Sequence, residues 1–516
     1  MRRRSVIVIA TVVVALVAGC TPQRVRWVSP TSGGAGASSS ASAGFAVSPP
    51  AWRPCRDEAD KVLQGQRPQG VSYDCGTIEV PQDWTRPDRA KTFHIALMRV
   101  RGPHQTNRIG SLVVNPGGPG GSGVDLAAYL SLQLPSVILE RFDVVGFDPR
   151  GVSRSDPVKC FADADMDALF GFDPDPQAQA DFDAFVALNK KMAAGCQAKY
   201  GDTLSLFSTE QAAHDLDGIR TALGEQKLTY LGFSYGTLLG ATYAQLFPKN
   251  IRAFVLDGAV DPTADTLQSA EGQAKGFAHA FDQFAAWCQA NPAKCPAGPD
   301  AKATLNAALD MGRKAPVTAA DGRKVTAGWI LVGVFRALYL QDFWPFLAEG
   351  LANVIKGDPK RIMQLADDYP ERDPRGHYSN MIDAFNTVSC DDDGTIENVE
   401  QARSLQSEWR AKYAVFGANL ALGIVSCSVW PARRDPFPTG KAAGAPPIVV
   451  VGTVNDPATP YEQTAKLAAM LGVGRVVTWE GEGHTAYPKT TCIRAAVNAY
   501  LISLSLPPEG LRCPAK

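Results

Sequence analysis

Residues 228–247, with the sequence LTYLGFSYGTLLGATYAQLF, set the architecture of this chain. The first part, LTYLG, is a short continuous apolar run typical of a buried strand, and TLLGATYAQLF has the apolar spacing of a helix. Between them lies GFSYG at 232–236. A G-x-S-x-G between a strand and a helix forms a sharp turn that exposes its serine at the positive end of the helix. The pattern therefore predicts that Ser234 is a nucleophile.

Strand-like runs continue on both sides of this turn. An antiparallel pair is predicted at 77–80 and 93–100, and six buried strands follow at 111–115, 142–148, 228–234, 252–258, 447–453 and 474–481. Their alternation with helical patterns indicates an α/β fold with a mostly parallel sheet and helices on both faces. Residues 263–445 interrupt the strand pattern with helical spacing. We therefore expect a sheet domain at 50–262 and 446–516, with an inserted helical cap at 263–445.

A nucleophilic serine needs a general base and an acid that orients the base. In this architecture they follow in the order Ser, Asp, His, each behind a later strand. His484, in the turn GEGH, is the one histidine of six that follows a late strand. Asp456 lies in an N-D-P turn after the strand at 447–453 and is the predicted acid. Asp257 is its rival, because some proteins of this architecture carry the acid one strand earlier.

A glycine run, NPGGPGGSG at 115–123, follows the strand at 111–115. Exposed backbone amides are needed there for an oxyanion hole, and the amides of Tyr235 and Gly118 are the predicted donors. The run also matches the dinucleotide fingerprint G-x-G-x-x-G, with Asp148 as its ribose acid. The serine turn, the complete order of Ser, Asp and His, and an export signal argue against a nicotinamide enzyme. We therefore expect no cofactor.

The N-terminus has the features of an export signal. Three arginines at 2–4 precede the apolar residues 5–18, which have signal-peptide length rather than membrane-spanning length. The segment ends at VAGC, which resembles the lipobox of bacterial lipoproteins, so we predict a signal peptide at 1–19 and lipid attachment at Cys20. An ordinary secretory signal is the alternative. Residues 20–49 contain a Gly/Ser/Ala-rich stretch and are predicted to be a flexible tether. The expected location is the outer face of a bacterial cell membrane, with a released form as a second state.

Ten further cysteines agree with export. An even number of cysteines in an exported chain favours disulfides over free thiols. Spacing leaves the connectivity open, but pairing neighbours in order closes five local loops: Cys55–Cys75, Cys160–Cys196, Cys288–Cys295, Cys390–Cys427 and Cys492–Cys513. Zinc is the competing interpretation, and it lacks a C-x-x-C pair or nearby histidines. We therefore expect disulfides and no metal.

The composition narrows the class of protein. The chain has 516 residues, of which 45% are hydrophobic and 20% charged, so it can bury a large core. Its 51 basic and 52 acidic residues give a formal net charge of -1. A nucleic-acid partner is therefore not expected, because such proteins carry a basic surface.

Seven motifs make the chain resemble a known family. They are NPGGPGGSG (115–123), DPRGVSRSDP (148–157), LGFSYGTLLGATYAQLFP (231–248), VLDGAVDP (255–262), SCSVWP (426–431), GTVNDPATP (452–460) and GEGHTAYP (481–488). Together they resemble the exported tripeptidyl-aminopeptidase-like serine hydrolases related to proline iminopeptidases, over nearly the whole mature chain. The resemblance implies an α/β-hydrolase core with a helical cap, and a triad of Ser234, Asp456 and His484. Proline iminopeptidases have H-G-G-P-G where this chain has PGGPG at 116–120, so strict proline specificity is not implied.

Three functions fit these observations. The leading hypothesis is a lipid-anchored serine peptidase that forms an acyl-enzyme on Ser234. As the resemblance implies, it would be an aminopeptidase that releases short, tripeptidyl-like peptides from the free N-termini of peptides or proteins. An esterase or lipase with the same machinery is the alternative, and a non-catalytic surface-binding module is the third. An exopeptidase that counts from a free N-terminus must meet the substrate ammonium with buried negative charge. Asp391 and Asp392, directly after Cys390 in the cap, are the predicted amine anchor, and a solvated acidic turn is the other interpretation.

Overall fold

The named strands in the described part of this chain form one mixed sheet. The computed structural model describes residues 45–105, 107–394, 398–432 and 435–516. The strands within these ranges are β1 (Arg53–Pro54), β2 (Ser72–Pro81), β3 (Thr92–Arg101), β4 (Gly110–Asn115), β5 (Phe142–Phe147), β6 (Leu228–Phe233), β7 (Ile251–Asp257), β8 (Ile448–Asn455), β9 (Gly474–Glu482) and β10 (Leu511–Cys513). Their order across the sheet is β1-β2-β3-β5-β4-β6-β7-β8-β9-β10.

The sheet agrees with the predicted strand pattern in its centre and differs from it at the edges. β2 and β3 form the expected antiparallel pair, although β2 begins at Ser72 rather than at residue 77. From β5 to β10 all neighbouring strands are parallel. Every residue of β4, β5 and β6 is buried, which explains why these strands are continuous apolar runs. β1 and β10 have two and three residues and are too short to leave a periodic signal.

Helices cover both faces of the sheet. Those that lie outside the segment between β7 and β8 are α1 (Arg56–Leu63), α2 (Gly123–Gln133), α3 (Ser136–Arg141), α4 (Asp163–Gly171), α5 (Gln179–Tyr200), α6 (Thr209–Ala222), α7 (Tyr235–Leu246), α15 (Glu462–Leu471) and α16 (Thr491–Ser503). Apolar residues of α1, α2, α3 and α16 share one core with one face of the sheet. Apolar residues of α6, α7 and α15 belong to the core on the other face.

The segment between β7 and β8 is helical, as its spacing predicts. Its helices are α8 (Thr266–Ala290), α9 (Ala301–Lys314), α10 (Ala327–Leu338), α11 (Trp344–Val354), α12 (Lys360–Asp368), α13 (Met381–Asp392) and α14 (Val399–Ser428). Among the described helices, α14 is the one long and apolar enough to cross a membrane. In this structure it packs against α5 and α8, with buried residues that include Trp409 and Val425.

A second segment packs with these helices, and the sequence did not reveal it. Phe182, Phe185 and Val186 of α5 form a separate hydrophobic cluster with residues of α14 that include Trp409 and Leu422. The segment lies between β5 and β6 and has the helical pattern of an ordinary crossover, so nothing local separates it from the sheet domain. We therefore propose that the cap predicted at 263–445 also includes α5.

Five disulfides link the described segments, and they join the cysteines in the predicted order. The bonds are Cys55–Cys75, Cys160–Cys196, Cys288–Cys295, Cys390–Cys427 and Cys492–Cys513. Cys390–Cys427 connects the end of α13 to the end of α14, and Cys492–Cys513 connects α16 to β10. The predicted signal peptide at 1–19, the lipid site at Cys20 and most of the tether lie outside the described residues.

Candidate active site

Ser234 lies in a strained turn between β6 and α7. Its φ of 55° and ψ of -126° are unusual for a residue with a side chain. The flanking glycines permit this turn, since a Cβ on Gly232 would lie 2.4 Å from the carbonyl oxygen of Gly236. A Cβ on Gly236 would in turn lie 2.8 Å from Oδ1 of Asn115. The predicted strand, turn and helix are therefore all present, and the turn has no room for larger residues at either glycine.

His484 and Asp456 are in direct contact. Nδ1 of His484 lies 2.9 Å from both carboxylate oxygens of Asp456. The same carboxylate accepts hydrogen bonds from the amides of Ala458 (3.0 Å), Thr459 (2.9 Å) and Thr485 (3.3 Å), and its side chain is fully buried. These bonds orient the carboxylate toward the imidazole, and the contact with Nδ1 places the proton of the ring on that nitrogen. Nε2 of His484 is then an acceptor, and it makes no hydrogen bond with the described residues.

The end of β7 brings the serine turn and the histidine loop together. The amide of Ser234 donates to the carbonyl oxygen of Asp257 at 2.9 Å. One residue later, a Cβ on Gly258 would lie 3.1 Å from Cε1 of His484. Ser234 and His484 therefore flank the same two-residue segment at the carboxyl edge of the sheet, where parallel α/β sheets place their sites.

Asp257 has a different environment from Asp456. Its buried carboxylate accepts hydrogen bonds from the amides of Ala486 (3.0 Å) and Tyr487 (2.7 Å), and none of its described bonds reaches the imidazole. Burial raises the pKa of Asp257 to about 6, against the opposing effect of these two amides. Asp257 therefore holds the segment that follows His484, while Asp456 contacts the ring itself.

The glycine loop after β4 lies against the serine turn. A Cβ on Gly117 would lie 2.9 Å from both the amide nitrogen of Tyr235 and the Cβ of Ser234. Gly117 and Gly118 have φ values of 90° and 111°, which disfavour any residue with a side chain. The Gly117 amide already donates to Oδ1 of Asn115 at 2.9 Å. The predicted donors, Tyr235 at the start of α7 and Gly118, thus belong to two segments that meet beside Ser234.

Asp148, the acid of the dinucleotide interpretation, has a local role. It is fully buried and accepts hydrogen bonds from the Ser122 hydroxyl (2.6 Å) and the Val124 amide (3.1 Å). Ser122 in turn caps α2 by accepting from the amide of Asp125. The carboxylate therefore fixes the start of α2. Across the described residues, no group of three or more histidine, cysteine or acidic side chains is placed to hold a metal ion.

Asp391 and Asp392 end α13 and are buried, so they do not form a solvated turn. Oδ1 of Asp391 accepts from the indole nitrogen of Trp430 at 2.8 Å. Asp392 accepts from the amide (2.8 Å) and hydroxyl (2.5 Å) of Thr209, whose hydroxyl also lies 2.5 Å from the Tyr235 hydroxyl. Burial raises the pKa of Asp392 to about 7, and nearby carboxylates add to this effect. Asp392 is therefore connected through Thr209 to the residue that follows Ser234.

Tyr339 is a contact of the site that sequence reasoning missed. The amide of His484 donates to its carbonyl oxygen at 2.8 Å, and its ring meets the imidazole edge to face at 5.4 Å. A Cβ on Gly483 would lie 2.7 Å from the same carbonyl. Tyr339 follows α10 within an apolar helical pattern, and nothing in that pattern distinguishes it from a core aromatic residue.

Comparisons with known proteins agree with the fold. A family model described as the alpha/beta hydrolase fold matches residues 110–489. The serine protease Hip1 of Mycobacterium tuberculosis is 38% identical over 489 residues, covering 90% of this chain and 91% of that protein. The carboxylesterase B of Mycobacterium tuberculosis is 35% identical, with coverages of 85% and 86%. The tripeptidyl aminopeptidase of Streptomyces lividans is 30% identical, with coverages of 83% and 81%.

Proposed function

The chain belongs to the α/β-hydrolase family, and on that premise we propose that it is a serine peptidase that releases short peptides from free N-termini. The observation that carries the proposal is the contact of His484 with Asp456 at the same edge of the sheet as the strained turn of Ser234. An imidazole with its proton held on Nδ1 leaves Nε2 ready to accept the proton of a nucleophile. In this family, that nucleophile is the serine of the turn.

The proposed mechanism uses the three side chains in sequence. His484 takes the proton of the Ser234 hydroxyl as its oxygen attacks the scissile carbonyl, and Asp456 stabilises the imidazolium that forms. The amides of Tyr235 and Gly118 donate to the oxyanion of the tetrahedral intermediate. The proton on Nε2 then passes to the leaving amine, which departs and leaves an ester on Ser234. Water, deprotonated by the same histidine, hydrolyses this ester and restores the free serine.

We propose a peptide bond rather than an ester as the substrate, because two of the three relatives described above are named as peptidases. The two that support it are named for protease and tripeptidyl aminopeptidase activity, and they include the 38% identical protein. The relative named carboxylesterase B supports an esterase or lipase as the second candidate. The triad serves both reactions, since substrate choice depends on the surrounding pocket. A non-catalytic binding module would fail to react with a fluorophosphonate, which labels an activated serine.

Recognition of the substrate amine is part of the proposal, with Asp391 and Asp392 as its candidate anchor. Asp392 is the better placed of the two, because Thr209 connects it to Tyr235 beside the nucleophile. A buried carboxyl with a pKa of about 7 would ionise fully on meeting an ammonium group. Asp391 already accepts from Trp430 and would contribute through its charge.

We expect free-amine peptides to be cleaved faster than their N-acetylated counterparts, and Asp392→Asn to reduce that preference. The variant should lower kcat/KM for the free peptide by roughly 1.5 to 3 kcal/mol, the scale of a hydrogen bond to a charged group. The acetylated peptide is the control, because damage to the catalytic residues would slow both substrates. Equal cleavage of both peptides by the wild type would contradict amine counting and favour the esterase.

Export and lipid attachment complete the proposal and rest on the N-terminal sequence. We expect the full-length protein, expressed in a bacterium that processes lipoproteins, to be recovered in the membrane fraction. Cys20→Ala should shift it to the soluble or secreted fraction without changing its specific activity, since the sequence predicts a flexible tether between Cys20 and the folded residues. Fractionation with immunoblotting measures this, and a variant that stays in the membrane would contradict lipid attachment at Cys20.

A further inference from the structure

Asn455 bridges the two loops that carry Asp456 and His484. The side-chain Nδ2 of Asn455 donates to Oε1 of Glu482 at 2.6 Å. Its backbone carbonyl oxygen accepts from the backbone amide of Gly483 at 3.2 Å. The pairing of β8 with β9 shifts register between Thr453 and Asn455, and it resumes with Asn455 opposite Glu482 at the ends of the two strands. The contacts of Asn455 therefore hold the ends of β8 and β9 together, directly before the loop of Asp456 (the acid loop) and the loop of His484 (the base loop).

Helix α8 meets the same bridge from the helical insertion. Nε2 of His279 lies 3.0 Å from Oδ1 of Asn455. One turn earlier, a Cβ on Gly276 would lie 2.4 Å from the carbonyl oxygen of Pro457, so the helix backbone rests directly on the acid loop. The side-chain amide of Asn455 thus contacts His279 on α8 and Glu482 at the end of β9.

The position requires an amide. Asn455 donates to Glu482 and accepts from His279, and a carboxylate in its place could not donate to Glu482. Glu482 is partly buried, and burial raises its pKa, while the bond from Asn455 and the nearby His279 oppose the shift. An apolar residue would leave this carboxylate without its donor, which is costly away from water.

We propose that Asn455 is a positioning residue that sets the placement of Asp456 against His484 by tying their loops to each other and to α8. This inference rests on the proposed catalytic roles of those two residues. It assigns Asn455 no contact with the substrate. A displacement of about 1 Å between catalytic groups can cost on the order of 100-fold in rate, so a bridge between the two loops acts directly on catalysis.

Exchanging the amide of Asn455 and the carboxylate of Glu482 tests the positioning role. In Asn455→Asp the new carboxylate faces Glu482, and we expect kcat at pH 8 to fall about 10- to 100-fold with little change in KM. The loss should shrink toward pH 6, relative to wild type, because a proton shared between the two carboxylates restores the hydrogen bond. His279 is the titratable group that faces the pair from α8, so His279→Gln is measured alongside to separate its titration from theirs.

The second half of the exchange supplies the matched controls. Glu482→Gln keeps an acceptor for the Asn455 amide, so a loss of at most about threefold is expected. The double variant Asn455→Asp, Glu482→Gln reverses donor and acceptor and should restore kcat at pH 8 to within about threefold of wild type. Rates are normalised to serines labelled by a fluorophosphonate, so partial misfolding does not count as lost kcat.

The outcomes are distinguishable. Wild-type kcat in Asn455→Asp, or a double variant as impaired as Asn455→Asp, overturns the positioning role while Ser234 labelling leaves the proposed function standing. Wild-type protein that does not label at Ser234 overturns the proposed function and this inference with it. Recovery in the double variant, together with the pH-dependent loss in Asn455→Asp, supports the bridge, because a generally destabilising substitution would not be rescued by exchanging the charge.

Discussion

Ser234→Ala is expected to abolish turnover, with a loss in kcat on the order of 10⁶-fold, the size seen when the nucleophile of a serine-protease triad is removed. The fold should persist, because the strain at φ 55° is in the backbone and alanine carries the same Cβ. The bonds that hold the turn also survive, since they run from the Ser234 amide to Asp257 and from Thr237 to the Ser234 carbonyl.

The measurement is kcat on peptide and ester substrates, with fluorophosphonate labelling and the urea unfolding midpoint measured on the same preparation. Loss of labelling with an unchanged midpoint is the expected result. Near-normal turnover in Ser234→Ala would remove the nucleophile from the proposal and with it the acyl-enzyme mechanism. A large drop in the midpoint would instead show that the hydroxyl supports the fold.

Asp456→Asn should be far more damaging than Asp257→Asn. An amide at 456 no longer holds the proton of His484 on Nδ1 through a charged contact, and the same change in a serine-protease triad costs about 10⁴-fold in kcat. Asn at 257 keeps one oxygen for the amides of Ala486 and Tyr487. Its effect should therefore stay within about 100-fold, the cost of displacing a neighbouring loop by about 1 Å.

The two variants control for each other, because both replace a buried aspartate by its amide at the carboxyl edge of the sheet. The comparison is made on kcat at one pH, normalised to labelled serine. If Asp257→Asn were the more damaging variant, the acid would belong to the end of β7, and the contact of His484 with Asp456 would be structural. Similar losses in both would mean that the two carboxylates act as one network.

The local pattern of the chain accounts for the turn, the strands and the disulfides. GFSYG between an apolar strand and a helix indicated the strained turn, because the steric limit at Gly232 is set by Gly236 within the same turn. The central strands are continuous apolar runs because both of their faces are buried. The cysteines pair in chain order, so neighbour-in-order pairing found all five bonds, although spacing alone could not have excluded other partners.

Contacts between distant segments could not be read in this way. Asp257 and Asp456 end adjacent strands and follow equally suitable apolar runs, so the choice between them depended on how the loop of His484 folds over the edge of the sheet. The bridge from His279 to Asn455 joins residues 176 positions apart, and it forms where the β8 and β9 ladder shifts register. Such contacts depend on strand register, loop direction and the packing of the insertion, which arise when the whole chain has folded and leave no periodic trace in any one segment.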